Sequence, residues 1–292
     1  MPTYRYLQID AFTNTPLTGN PCIVVLDADD LDAPTMQALA RETNLAETAF
    51  VMRSTQADFR ARYFTPAEEI PLAGHPTLAV TRALIDTGRV SPSTMPRFTL
   101  ELTAGVITVE IGPGETITMT QKKPVFLNTY DPAEIMPVFG LTPADCLPSL
   151  PIQTVSTGTP MVMIPIRDHD ALRRAAMDIP AYNALKARSD FFSPHLFCLR
   201  GISPDAQTFA RQFGTPPDLL EDPFTGSATG SMAAYLWHYN LIDSPTFIAE
   251  QGHWMQRPGW AYVEVIGKRE VIETVKVGGE AVTIMRGEMM LK

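Results

Sequence analysis

A chain of 292 residues with 45% hydrophobic and only 19% charged side chains can build a core in each of two domains, which excludes wholesale disorder. Its formal net charge of −9 argues against non-specific holding of nucleic acid or an anionic membrane, so an anionic ligand must be captured locally, by backbone N–H groups or one placed cation. Cys22, Cys146 and Cys198 form neither a CxxC pair nor a disulfide framework, and no apolar run is long enough to span a bilayer, so a soluble cytoplasmic protein is expected.

The opening MPTYRYLQID lacks the apolar core of a signal peptide and enters a strand pattern over 4–10 at once. The loop FTNTPLTGNP leads to a second strand over 22–26. Asp32 is a candidate N-cap for a helix through Met36, Leu39 and Ala40 that fades near Asn44. Strands are predicted over 48–52 and 58–64, the latter alternating Phe59, Ala61 and Tyr63 with Arg60 and Arg62. A helix over 76–85 has Pro near its start and Gly88 beyond its end, and its apolar residues cover most of the circumference, so it should be buried on nearly every side. Short strands over 98–102, 106–111 and 116–120 follow. Pro, Asn and Asp accumulate over 122–132, which reads as the linker between halves 1–124 and 130–292.

The second half repeats the theme. A strand over 161–166 precedes short helices over 170–176 and 181–187 and a strand over 195–199. Gly226 opens a helix carrying Met232, Tyr235, Leu236 and Trp237, and strands over 247–250, 261–266 and 271–277 complete the set. Met289–Met290 reads as core or terminal strand, and the last strand is expected to cross back to the first half. The fold class is therefore α+β: two pseudo-symmetric domains, each a curled, largely antiparallel sheet or barrel around one central apolar helix.

Two segments carry the repeat most clearly. EIPLAGHPTLAVTRAL at 69–84 aligns without gaps on EDPFTGSATGSMAAYL at 221–236, pairing Glu69 with Glu221, Pro71 with Pro223, Gly74 with Gly226, Thr77 with Thr229 and Leu84 with Leu236. Roughly one such identity is expected by chance at average residue usage. Each reads as a glycine turn opening a helix, whose free N–H groups and dipole bind carboxylate or phosphate. A cleft between the halves would receive both.

Four reactive side chains lie in or beside these turns. Glu47, in NLAETAF, is either a local backbone cap or a cleft carboxylate with a raised pKa. His75, after Gly74, is either a cap or packing residue or a proton carrier. Asp222 and Ser227 are either helix caps or cleft residues. Their convergence on one cleft favours function over four independent structural roles. GSATGS has the wrong glycine spacing and no lysine for a phosphate loop. Asp168, His169 and Asp170 read as a helix cap rather than a metal site, no GxSxG elbow is present, and Cys22 and Cys198 read as packing residues.

Together, DAFTNTPLTGNP at 10–21, NLAETAF, RYFTPAEEIPLAGHPTLA at 62–79, EDPFTGSATGS at 221–231 and EQGHWMQRPG at 250–259 resemble the PhzF-like isomerases of the diaminopimelate-epimerase structural superfamily. The resemblance implies two similar domains with the active site between them, a homodimer, and no cofactor or metal. It matches Glu47 to the acid–base glutamate, His75, Asp222 and Ser227 to cleft residues, and Gly74 and Gly226 to turns that hold substrate. Ala46 is a departure, because the family often has Ser there. Racemases of the superfamily use two opposed cysteines beside the glycine turns, and this chain has Ala73 and Thr225 in those places. The expected function is a cofactor-independent isomerase that moves a proton within a small carboxylate-bearing substrate, with Glu47 as acid–base. Asp222 would orient an amino or hydroxyl group, and His75 would hydrogen-bond or relay protons. A carboxylate-binding or vestigial protein and a non-cysteine epimerase are the alternatives.

Overall fold

The computed structural model describes residues 2–291. In the first half, β1 (Thr3–Ala11), β2 (Asn20–Val25), β3 (Glu47–Met52), β4 (Phe59–Phe64), β5 (Glu69–Ile70), β6 (Arg97–Leu102), β7 (Gly105–Ile111) and β8 (Ile117–Thr120) surround α2 (Gly74–Asp86), with α1 (Ala33–Thr43) outside. Then come β9 (Val125–Tyr130), α3 (Pro132–Ile135), β10 (Ile152–Ser156), β11 (Pro160–Pro165), α4 (His169–Arg174), α5 (Ile179–Lys186), β12 (Ser193–Cys198) and β13 (Thr208–Phe213). The chain ends through β14 (Glu221–Asp222), α6 (Gly226–His238), β15 (Thr246–Gln251), β16 (Gly259–Lys268), β17 (Val271–Gly279) and β18 (Ala281–Met290). Among the described residues no helix is long and apolar enough to cross a membrane.

Strand pairing exposes the internal repeat. One half runs β18–β1–β2–β3–β4–β6–β7–β8, and the other β9–β10–β11–β12–β13–β15–β16–β17. Parallel pairs fall at the same places in both series: β2 on β3 and β4 on β6, against β11 on β12 and β13 on β15. The C-terminal β18 lies antiparallel to β1 and takes the place that β9 takes beside β10. Antiparallel pairing of β8 with β17, Met119 opposite Val277, joins the two series.

Segment 122–132, read from its Pro, Asn and Asp as a linker, contains β9. The strand escaped notice because it sits on a sheet edge with most of its residues exposed, so it carries no apolar alternation. At α1 the sequence reading and the structure agree: Asp32 accepts from the Thr35 N–H at 2.9 Å, and Asn44 ends the helix in the left-handed region at φ 49°.

Leu78 and Leu84 of α2 share one apolar cluster with Met232 and Leu236 of α6, so the halves have a common core. The two helix starts meet at their glycines, where a Cβ built on Gly74 would lie 3.2 Å from Gly226 Cα. A Cβ built on Gly226 would lie 2.7 Å from Phe12 Cζ, and Phe12 is itself pinned by stacking on Phe224 with centroids 4.3 Å apart. Gly226→Ala should therefore cost about 1–3 kcal/mol of overpacking and lower Tm by several degrees. An alanine variant that melts with the parent protein would show that the helix start has room to shift.

Candidate functional site

Both apolar helices begin without a side-chain cap. Ala73, before α2, has no polar atom to offer, and the Thr225 hydroxyl before α6 turns away to donate to Asp222 Oδ2 at 2.5 Å. The first-turn N–H groups are left for another acceptor. Ion pairs in matching places hold the approach to each helix: Arg62 donates two bonds to Glu69, 2.8 and 2.6 Å, and Arg211 donates two to Glu221, 2.8 and 2.7 Å. Each ties β4 or β13 to the two-residue strand that precedes the turn.

Glu47 is the first residue of β3, where the chain leaves α1 and enters the sheet. Its side chain is 15% exposed, yet Oε2 is buried and receives no aligned hydrogen bond. His75 Nδ1 lies 2.8 Å from that oxygen, with the ring only 3% exposed. Asn20 Nδ2 donates to Asp222 Oδ1 at 2.7 Å and to the Phe224 carbonyl at 2.8 Å, and it also lies 3.0 Å from His75 Nδ1. Two amide protons serve the two oxygens, so the His75 tautomer with its proton on Nδ1 suits the arrangement. Gln251 completes the frame. Its amide nitrogen donates to the Asp222 carbonyl at 2.7 Å and its oxygen accepts from Thr225 N–H at 3.2 Å.

Electrostatics separate these groups. Burial, reinforced by the charges of Asp222 and Asp218, holds the Glu47 carboxyl well above the usual range. Burial alone pushes His75 down to about 3, so the close Glu47–His75 pair is not an ion pair near neutral pH. Burial raises Asp222 to about 6 against the lowering effect of hydrogen bonds from Thr225 and Asn20.

A cavity of about 380 Å³ opens in front of Glu47, and Ala73, Asp222, Thr225 and Ser227 also line it. Its remaining wall includes Glu68, Glu69 and Asp218, and no Arg, Lys or His among the described residues. Of the residues picked from sequence, Glu47, Asp222 and Ser227 reach this cavity. His75 does not: it is packed behind Glu47. Gly226 is likewise behind the wall, against Phe12, and Gly74 lines a neighbouring cavity. Reading these groups as caps fails, because none of the four side chains accepts from a helix N–H. Asp168 is a cap, accepting from Ala171 N–H at 2.8 Å, and no metal-binding cluster occurs among the described residues.

Sequence reasoning missed Asn20, Gln251 and the pair Arg257–Asp10, although all lie in segments singled out as motifs. Arg257 donates to Asp10 Oδ1 at 2.7 Å, to Gly19 O at 2.8 Å and to Thr18 O at 2.9 Å. It thereby fixes the loop that delivers Asn20. Cys22 is the β2 neighbour of Glu47 on β3, but burial and then the Glu47 charge push its thiol well above the ordinary value, and burial pushes Cys146 up to about 11 and Cys198 up to about 12, so no thiolate is offered.

Residues 9–287 match the family described as phenazine biosynthesis-like protein, PhzC-PhzF. The Bacillus subtilis (strain 168) protein named uncharacterized isomerase YfhB is 33% identical, over 91% of this chain and 92% of its own. Trans-2,3-dihydro-3-hydroxyanthranilate isomerase of Pseudomonas fluorescens is 32% identical over 99% of this chain and all (100%) of its own. The crystal structure of the Bacillus anthracis phenazine biosynthesis protein, PhzF family, superimposes with a TM-score of 0.90 at 33% identity, covering 100% of both chains.

Proposed function

Because the chain belongs to the PhzC-PhzF family, whose relatives are named isomerases, we propose that its cleft moves a proton within a small carboxylate-bearing substrate, with Glu47 as the acid–base group. One observation carries this reading: a carboxyl held above its ordinary pKa faces a cavity that no Arg, Lys or His among the described residues lines. A carboxylate so raised accepts a proton from carbon more readily than an ordinary one and returns it at a second carbon. His75 stays neutral and backs Oε2 from behind, orienting the carboxyl rather than touching substrate. With no cation in the wall, backbone N–H groups at the helix starts beside Ala73 and Ser227 hold the substrate carboxylate and stabilise developing charge. Asp222 then orients an amino or hydroxyl donor. The site works without metal or cofactor, and the protein is a homodimer.

Trans-2,3-dihydro-3-hydroxyanthranilate is the first compound to test, followed by cyclic and acyclic amino- and hydroxy-acids, since Ala46 offers no hydroxyl beside Glu47. In D₂O a substrate should gain deuterium at carbon. A compound that raises Tm yet gains none marks the protein as a binder and sinks the proposal. The rate should fall as pH drops through the raised range of the two cleft carboxyls, Glu47 and Asp222 (the latter at about 6), the Glu47 part being the one that persists in Asp222→Asn, while His75 at about 3 adds no inflection above pH 5. A profile flat from about pH 5 to 9 contradicts Glu47 as the base.

A further inference from the structure

We propose that a second chamber, backing onto the reaction cleft, binds an organic acid with an apolar body and one anionic group. This goes beyond the isomerisation reading and does not depend on it. The chamber has a volume of about 410 Å³ and lies between the β7–β8 face and the turn at 157–159. Leu72, Ile107 and Met119 provide apolar wall, and Arg97 and Lys122 provide positive charge. Among the described residues neither cation has a salt-bridge partner. The one carboxylate on the wall, Glu110, stands across the β6–β7 pair from Arg97 and makes its ion pair with Lys276 at 3.3 Å.

The contrast with the reaction cleft decides the ligand class. Leu72, Ala73, Gly158, Thr159 and Ser227 line both cavities, so the two share a wall. On one side of it stand Glu47, Glu68, Glu69, Asp218 and Asp222 without a cation among the described residues, and on the other Arg97 and Lys122 with a single carboxylate, Glu110, over an apolar floor. The reaction cleft offers a carboxylate only backbone N–H groups, whereas the second chamber adds two cationic side chains to an apolar wall, which suits an anion with an apolar body.

Two methionines report the chambers separately: Met119 lines the second and Met161 the reaction cleft. With ¹³C-methyl methionine labelling, hexanoate should shift the Met119 resonance and leave Met161 in place. Hexanamide should bind more weakly, as should hexanoate at raised salt. The double variant Arg97→Gln/Lys122→Gln, at two residues outside the reaction machinery, should weaken hexanoate binding about tenfold. Binding unchanged in that variant overturns the proposal. So does equal binding of hexanamide, or a response at Met161 in place of Met119. Glu47→Gln should bind hexanoate as the parent protein does, which keeps this result separate from the fate of the isomerase reading.

Discussion

Glu47→Gln is expected to fold, to lose turnover by roughly 10²- to 10⁴-fold, and to melt at a higher temperature than the parent protein at alkaline pH. The rate loss follows from removing the titratable group of the cleft while keeping its size and its contact with His75. The stability gain follows from the burial that raises the Glu47 carboxyl. Folded Glu47 keeps its proton to higher pH than the unfolded chain does, so ionising it costs the native state stability as pH rises. Glutamine never carries that charge. Its advantage should be present above the raised carboxyl range and absent below about pH 4, where both carboxyl forms are neutral. Each pKa unit of displacement corresponds to about 1.4 kcal/mol, so a rise in Tm of a few degrees at pH 8 is expected. Full turnover in a folded Glu47→Gln protein would remove the mechanism. Loss of turnover with no pH-dependent gain would show that the carboxyl is not perturbed as described. Glu47→Asp is the finer probe, because an arm one carbon shorter misplaces the base without removing it.

The largest loss of stability is expected at Arg257→Met, about 3–5 kcal/mol. Asp10 is fully buried (0% exposed), and Arg257 is its ion-pair partner. Even with that partner, burial outweighs the attraction and holds the Asp10 pKa above its ordinary value. Taking the guanidinium away leaves a carboxylate that water cannot reach, with only the Leu17 N–H, at 2.7 Å, still donating to it. The deficit should grow as pH rises, since the native state disfavours the charged form, and shrink as pH falls and Asp10 takes up a proton. Thermal unfolding between pH 5 and 8 measures it. The double variant Asp10→Asn/Arg257→Met should recover part of the loss by removing the stranded charge. A uniform loss across pH, with no recovery in the double variant, would mean that packing of the Arg257 stem rather than the ion pair holds this corner. Turnover should fall too, because Arg257 fixes the Thr18 and Gly19 carbonyls just before Asn20, and Asn20 in turn holds Asp222.

Much of the architecture was legible because local signals were strong. α2 and α6 announced themselves by being apolar all round, and α1 by Asp32 at one end and Asn44 at the other. The duplicated glycine turns located both helix starts at Gly74 and Gly226. β9 and β18 were harder. Each is an edge strand with only one partner, so neither alternates cleanly, and β9 carries the Asn that made its segment look like a connection. The same contrast runs through the site. Glu47 stood out as a carboxylate between apolar neighbours, whereas Asn20 and Gln251 are ordinary amides in sequence and matter only for what stands opposite them.

Sequence alone determined the two-fold repeat, the buried helices with glycine at their starts, and the lone carboxylate among apolar neighbours at Glu47, because period, turn chemistry and side-chain type are properties of neighbouring residues. Tertiary structure decided that His75 is buried against Glu47, that Asp222 is held by Asn20 from 202 positions away, and that Arg97 and Lys122 line the cavity adjoining the acidic one. Those outcomes depend on which distant segments share a wall and how far each is shut off from water, and burial is what sets the charge a group carries.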